Sequence, residues 1–265
     1  MILVIYRILY GTDFLERSVR SVYNEADHVW IGYSTEPWSK PKGFPDIRDI
    51  EESPIKTIED NFNLTEGKIT LFYHHVDTPR GQFNYLYDQA TYEKGIPTIV
   101  VFMEPDMVWA PGMFKTFMEQ VKSSDKTIIT APQIELWKTN EWRIPQRKRF
   151  GPTAYKIVPP PLGFGQFPLD GRYPVVSTGG CFNFGFCFNE RTMLYKHQSA
   201  LDFSAKIGDS VPSPTWYNEK WLNWTPEVTN LEPSARHTHL ISHALPYEMP
   251  EDMRNFMDEN PSKNT

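Results

Sequence analysis

The sequence predicts an α/β protein with a mostly parallel central sheet, helices on both faces and an irregular second half. Strand-like and helix-like periods alternate over residues 2–131, the pattern that builds such a sheet. A βαβ-length unit opens the chain and implies a parallel pair with a right-handed crossover. The run Thr98-Ile99-Val100-Val101-Phe102-Met103 is apolar on both alternating faces, which suits a strand buried on both sides.

Taken in order, Ile2 to Tyr10 reads as the first strand, and Gly11 turns the chain. Thr12 or Asp13 can cap the helix that follows, with Glu16 three residues after Asp13 and Leu15, Val19, Val22 and Ala26 on one face. Val29 to Tyr33 is the second strand. Prolines at 37, 41, 45 and 54 make residues 34–66 mostly loop, with a short helix over 55–62. Lys68 to Val76 resumes as strand, and Phe83, Leu86, Tyr87 and Ala90 give a helical stripe that Gly95 can end. The central strand at 98–103 is followed by Glu104-Pro105-Asp106, two carboxylates held apart by one proline. Pro111 suits the first turn of the next helix, whose buried side is Met113, Phe114, Phe117, Met118 and Val121.

Lys126 to Ala131 is a further strand, and beyond it the rhythm fades. Ile134 to Lys138, Ala154 to Val158 and Val175 to Ser177 are short strand candidates among loops rich in Pro and Gly. Gly179-Gly180 precedes a strand-like run from Cys181 to Phe188, Glu190 to Ala200 suits a helix, and an aromatic run spans Trp216 to Trp224. Residues 1–250 read as one domain, and 251–265 as a polar, fraying tail.

Composition narrows the function. A net charge of −6 argues against broad nucleic-acid binding, and the cluster Arg143, Arg147, Lys148 and Arg149 is local. No apolar run reaches the roughly 18 residues of a membrane span, and Met1 leads straight into a strand, so a soluble cytoplasmic protein is expected. Cys181 and Cys187 lie on one strand-like run, roughly 20 Å apart if extended, so reduced thiols are expected.

A strand end in an open α/β sheet is where ligands bind, and an acid pair there is placed to hold a divalent cation. The triplet Glu104-Pro105-Asp106, after five apolar residues and before a proline-started helix, resembles that of nucleotide-sugar glycosyltransferases with the GT-A (Rossmann-like) fold, family-2-like enzymes in particular. The resemblance covers roughly residues 2–190 in the order of elements. It implies a nucleotide-sugar half over 1–131 and an acceptor half over 132–250. It also implies Mn²⁺ or Mg²⁺ on Asp106, with Glu104 at the ribose or at the metal through water. Glu in place of Asp at 104 is a departure that lengthens the arm.

By the same resemblance Tyr6 and Arg7 seat the nucleoside, Arg80 and Asn84 meet the diphosphate, and Gly179 and Gly180 lie beneath the donor sugar. His237 or His239 completes the metal shell, and the base of an inverting transfer comes from Glu219, Asp202 or Asp209. Glu219 is favoured because the aromatic residues around it can raise its pKa and stack on sugars, so that Trp216, Trp221 and Trp224 line an acceptor path. Competing readings are a core role for Tyr6, a plain turn at Gly179-Gly180 and a solvated acid pair. The implied activity is metal-dependent transfer of a hexose from a nucleoside diphosphate sugar to a glycan-type acceptor. A sugar nucleotidyltransferase is the alternative, although Tyr10-Gly11-Thr12-Asp13 lacks the glycines and lysine such an enzyme wants. A non-catalytic carbohydrate-binding protein is the third.

Overall fold

A computed structural model describes residues 1–37, 45–75, 79–145, 150–157, 179–207, 213–231, 233 and 243–259. The parallel half follows the expected alternation. Strand β1 (Ile2–Ile8) leads through helix α1 (Thr12–Tyr23) to β2 (His28–Tyr33). Helix α2 (Pro54–Glu59) precedes β3 (Ile69–Tyr73), and α3 (Pro79–Lys94) precedes β4 (Ile99–Met103). β1 pairs in parallel with β2 on one side and β4 on the other, and β2 pairs in parallel with β3.

The alternation of side chains along β1 decides which helix each residue meets. Val4, Tyr6 and Ile8 join Leu15, Val19 and Val22 of α1, whereas Leu3 and Ile5 join Phe83, Leu86 and Ala90 of α3. All five residues of β4 are buried, as its unbroken apolar run requires.

Beyond β4 the sheet grows by antiparallel strands. The chain makes β5 (Met107–Trp109), α4 (Met113–Ser123), β6 (Ile128–Trp137), β7 (Thr139–Arg143) and β8 (Phe150–Lys156). β8 lies between β4 and β6 and is antiparallel to both. The two strands expected at 126–131 and 134–138 are one strand, β6, whose pairing with β8 shifts between Thr130 and Pro132. The run expected as a strand from Cys181 to Phe188 pairs only over β9 (Cys181–Asn183), because Asn183 turns the chain by accepting the Gly185 amide at 2.9 Å. β9 joins β5 to β6 in a small side sheet.

Helix α5 (Glu190–Ile207) and a π-helical turn at Tyr217–Leu222 follow, and β10 (Leu245–Pro246) pairs with β7 at the sheet edge. The tail expected to fray instead forms helix α6 (Glu251–Asp258). Its Met253 is fully buried, and Phe256 and Met257 pack beside Met249, so three apolar residues at helical spacing outweigh the acidic face. The strand expected over 175–177 lies outside the described residues. Among the described residues no helix is long and apolar enough to cross a membrane.

Candidate active site

The chain leaves β1 for β2 and β3, then crosses back to place β4 on the opposite flank of β1. That reversal opens a crevice at the carboxyl ends of β1 and β4, the place where open α/β sheets bind ligands. A cleft of about 340 Å³ lies there, lined by Arg7, Leu9 and Tyr10 from the end of β1 and by Glu104, Pro105 and Asp106 from the end of β4.

The side sheet supplies a second wall. Met107 stands opposite Asn183, and Asn183 opposite Glu135, so Asp106 is carried next to a polar row. Gln133 and Glu135 are two residues apart on β6 and share the cleft face with Asn183.

Two acids face two cations. Arg7 donates to Glu104, and its guanidinium stacks 4.6 Å from the centre of the Phe83 ring. Lys196, on α5, brings its ammonium to 3.8 Å from Asp106 Oδ2 and donates to the Gly185 carbonyl at 2.6 Å. The rings of Phe188, Tyr10 and Phe186 surround that ammonium at 4.9, 5.5 and 5.5 Å. Gly185 has no room for a side chain, since a Cβ would stand 2.8 Å from Asn183 Oδ1, 2.9 Å from Asp106 Oδ2 and 3.0 Å from Lys196 Nζ. Burial raises the carboxyl pKa of Glu104, against the pull of Arg7, and that of Asp106, against the pull of Lys196. Tyr10 is raised by burial first and then by the charge of both acids.

Arg7, Glu104 and Asp106 therefore meet in one cleft, and other anticipated residues stand elsewhere. Tyr6 is wholly buried on the α1 face of β1, where its hydroxyl accepts from Ser18 at 3.1 Å. Strand alternation turns it away from the side that Arg7 takes, which corrects its assignment to the nucleoside. Asn84 is half-buried on α3 and lies off the cleft lining, and the side chain of Arg80 is outside the described residues. Gly179 is exposed; Gly180, at φ 113°, gives its carbonyl to the Ala110 amide at 2.7 Å and lies against Met113. That pair leads into β9, and among the described residues the glycine that lines the cleft is Gly185.

Glu219 is exposed on the π-helical turn and Asp202 half-buried on α5, and neither lines the cleft. Asp209, His237 and His239 lie outside the described residues. Trp216 and Trp221 form a second core with Trp137 and Phe186 rather than an open acceptor path. Their indole groups donate to Leu231 O at 2.8 Å and to Phe186 O at 2.9 Å, so the aromatic run buttresses the cleft wall at Phe186.

Lys196, Gly185, Tyr10, Gln133, Glu135 and Asn183 were not anticipated. The polar-apolar-polar step Gln133-Ile134-Glu135 is a legible mark of a polar strand face. A lysine inside a helical stretch carries no such mark.

With Lys196 in place, the described side chains do not fit the divalent cation that the resemblance implies, and His237 and His239, its other expected ligands, lie outside the described residues. Among the described residues no three His, Cys, Asp or Glu side chains gather closely enough to hold a metal ion. The charge of Asp106 is already met by an ammonium fixed by a carbonyl and three rings, and that of Glu104 by a guanidinium. A second cation against Asp106 would meet Lys196 at a few ångströms, where like charges repel.

No protein-family model matches the chain, and no curated protein matches it in sequence. Among solved structures it is similar to S. aureus TarS 1-349, with TM-score 0.40 and 11% identity over 76% of this chain and 64% of that one. It is similar to glucosyl-3-phosphoglycerate synthase from Mycobacterium tuberculosis, solved with Mn²⁺, UDP and phosphoglyceric acid, with TM-score 0.33 and 15% identity over 50% of this chain and 43% of that one. A 4-diphosphocytidyl-2C-methyl-D-erythritol synthase from Anaerococcus prevotii gives TM-score 0.36 and 13% identity over 59% of this chain and 70% of that one. The chain thus spans less than two thirds of the first two. Likeness at these scores does not decide function, which rests on the cleft itself.

Proposed function

We propose that the chain is a glycosyltransferase of the GT-A type, moving a sugar from a nucleoside diphosphate donor to a hydroxyl of a glycan-type acceptor. The chain acts as one domain that includes α6, with the donor held where the ends of β1 and β4 meet the wall of β6, β9 and α5, and the acceptor approaching from the side of 132–250. The observation that carries this reading is the polar cleft at the switch point, where Arg7, Glu104 and Asp106 from two parallel strand ends face Gln133, Glu135 and Asn183. Carboxylates and amides in a row are the groups that hold sugar hydroxyls, and fixed cations beside them meet phosphate.

In the reaction the bond from the anomeric carbon to the diphosphate oxygen breaks, and its electron pair leaves with the diphosphate, whose growing charge the cleft's cations stabilise. The acceptor oxygen bonds the same carbon from the opposite face, which inverts it. Its proton passes to a cleft carboxylate, a role for which Glu135 on the second wall is placed.

The nucleotidyltransferase alternative needs free backbone amides after β1. Those of Gly11 and Thr12 are occupied by the Glu51 carboxylate at 2.8 and 3.1 Å, which favours the transferase reading. A screen of nucleoside diphosphate sugars for thermal stabilisation and hydrolysis tests the proposal. One donor should stabilise the wild type and be turned over, and Arg7→Met should lose both responses while staying folded. A panel that leaves the melting temperature unchanged, or an unaltered response in the variant, would overturn it.

A further inference from the structure

We infer that Lys196 is a built-in replacement for the divalent cation, so that the cleft excludes Mn²⁺ and accepts a diphosphate without it. The second half of this inference rests on the nucleotide-sugar reading; the first half, the occupied cation place, does not.

Four observations meet at one atom. Lys196 Nζ stands 3.8 Å from Asp106 Oδ2, the acid at which a divalent ion would be bound. It donates to the Gly185 carbonyl at 2.6 Å, an oxygen of the kind such an ion also takes. Three aromatic rings, those of Tyr10, Phe186 and Phe188, lie within 5.5 Å of it, so the cage is shaped for a cation of this size. Gly185 is the residue that lets the ammonium and the carboxylate come together, because any Cβ there would press on both. A lysine merely passing a carboxylate at the surface would have none of these further contacts.

The rest of the site directs a diphosphate toward this ammonium. The amides at the start of α1, the other cationic feature near the end of β1, are filled by Glu51, which also accepts from Thr12 Oγ1 at 3.1 Å. Arg7 is shared with Glu104. Lys196 has three N–H donors, of which one goes to Gly185 and a second is turned toward Asp106, and its side chain, which lines the cleft, is 24% exposed. The third is left for an anionic oxygen of a ligand in the cleft.

The test uses the full chain and two readouts. In the first, Mn²⁺ alone is titrated and the free ion followed by electron paramagnetic resonance. The wild type should leave the signal of free Mn²⁺ intact. Lys196→Met, which exposes Asp106 Oδ2 and the Gly185 carbonyl, should take up Mn²⁺ at least about tenfold more tightly, and a second change, Asp106→Asn, should abolish that uptake. Saturable Mn²⁺ binding by the wild type that Asp106→Asn removes would overturn the inference, whatever the variants of Lys196 do. So would a folded Lys196→Met that gains no Mn²⁺.

In the second readout, nucleoside diphosphates are titrated calorimetrically with and without EDTA. Wild-type affinity should not change with EDTA and should fall about tenfold or more in metal-free Lys196→Met, the loss of one charge-assisted contact. A wild-type affinity that EDTA abolishes contradicts the inference. If no nucleoside diphosphate binds under either condition, the glycosyltransferase reading fails, and the Mn²⁺ titration still decides the occupied cation place.

Discussion

The closest packing in the cleft gives the sharpest test of its geometry, and the perturbation is Gly185→Ala. A methyl group there would lie 2.8, 2.9 and 3.0 Å from Asn183 Oδ1, Asp106 Oδ2 and Lys196 Nζ. Comfortable separations for a carbon start near 3.5 Å, so three polar atoms must each retreat by about half an ångström. Two of them belong to buried residues, Asn183 and Asp106, whose neighbours are close-packed. Overpacking of this kind costs about 1–3 kcal/mol, a fall in melting temperature of very roughly 2–12 °C in a chain of this size. Equilibrium unfolding in urea measures it, with an unchanged denaturant slope showing that the native and unfolded states are otherwise the same. The cost should shrink in a Lys196→Ala background, because a truncated side chain leaves room for the methyl group, and a double-mutant cycle reads that coupling directly. A Gly185→Ala chain within about 0.3 kcal/mol of wild type, with no coupling to position 196, would show that the ammonium and the carboxylate are not held as described.

Three further outcomes follow from the same geometry. Trp221→Ala removes a buried indole that donates to Phe186 O at 2.9 Å and carries the Lys138 ammonium 4.1 Å above its ring; unfolding should cost about 3–5 kcal/mol less, whereas an acceptor platform would lose activity at full stability. Burial raises the Glu51 pKa above the ordinary glutamate value, so the folded chain keeps this proton to higher pH than the unfolded chain and its contribution to stability falls as pH rises through that window. The stability of wild type relative to Glu51→Gln should therefore decline in urea titrations as pH rises above the ordinary glutamate pKa of about 4.3, and a difference that grows with pH would reverse the sign of the argument. Glu219→Gln, an exposed change off the cleft, should alter unfolding by less than about 0.5 kcal/mol and leave ligand binding intact; a large loss of turnover would restore Glu219 as the base.

The parallel half was legible because its elements obey simple periods. The apolar run of β4 announces a strand buried on both faces, and the carboxylates behind it land in a cleft because β1 and β4 end together at the switch point. The antiparallel half was not legible in the same way. No local pattern tells that β8 inserts between β4 and β6, since that order is set by long-range pairing. The run after Gly179-Gly180 looked like a long strand because its aromatic content is high, yet the short hydrogen bond from Gly185 to Asn183 ends it after three paired residues. Lys196 lines the cleft and Glu219 does not, for a related reason. Aromatic neighbours in sequence made Glu219 look enclosed, whereas the rings around Lys196 come from Tyr10 at the far end of the sequence and from Phe186 and Phe188, which the turn before α5 folds back onto it.

A crystal structure of the full chain grown with a nucleoside diphosphate is the most direct measurement of the central claim, that the crevice between the ends of β1 and β4 binds the donor's diphosphate. Phosphate oxygens should appear within hydrogen-bonding reach of Lys196 Nζ, with Arg7 alongside and the sugar-facing side toward Gln133, Glu135 and Asn183. An ordered nucleotide seated elsewhere on the chain, with that crevice filled only by solvent, would contradict it.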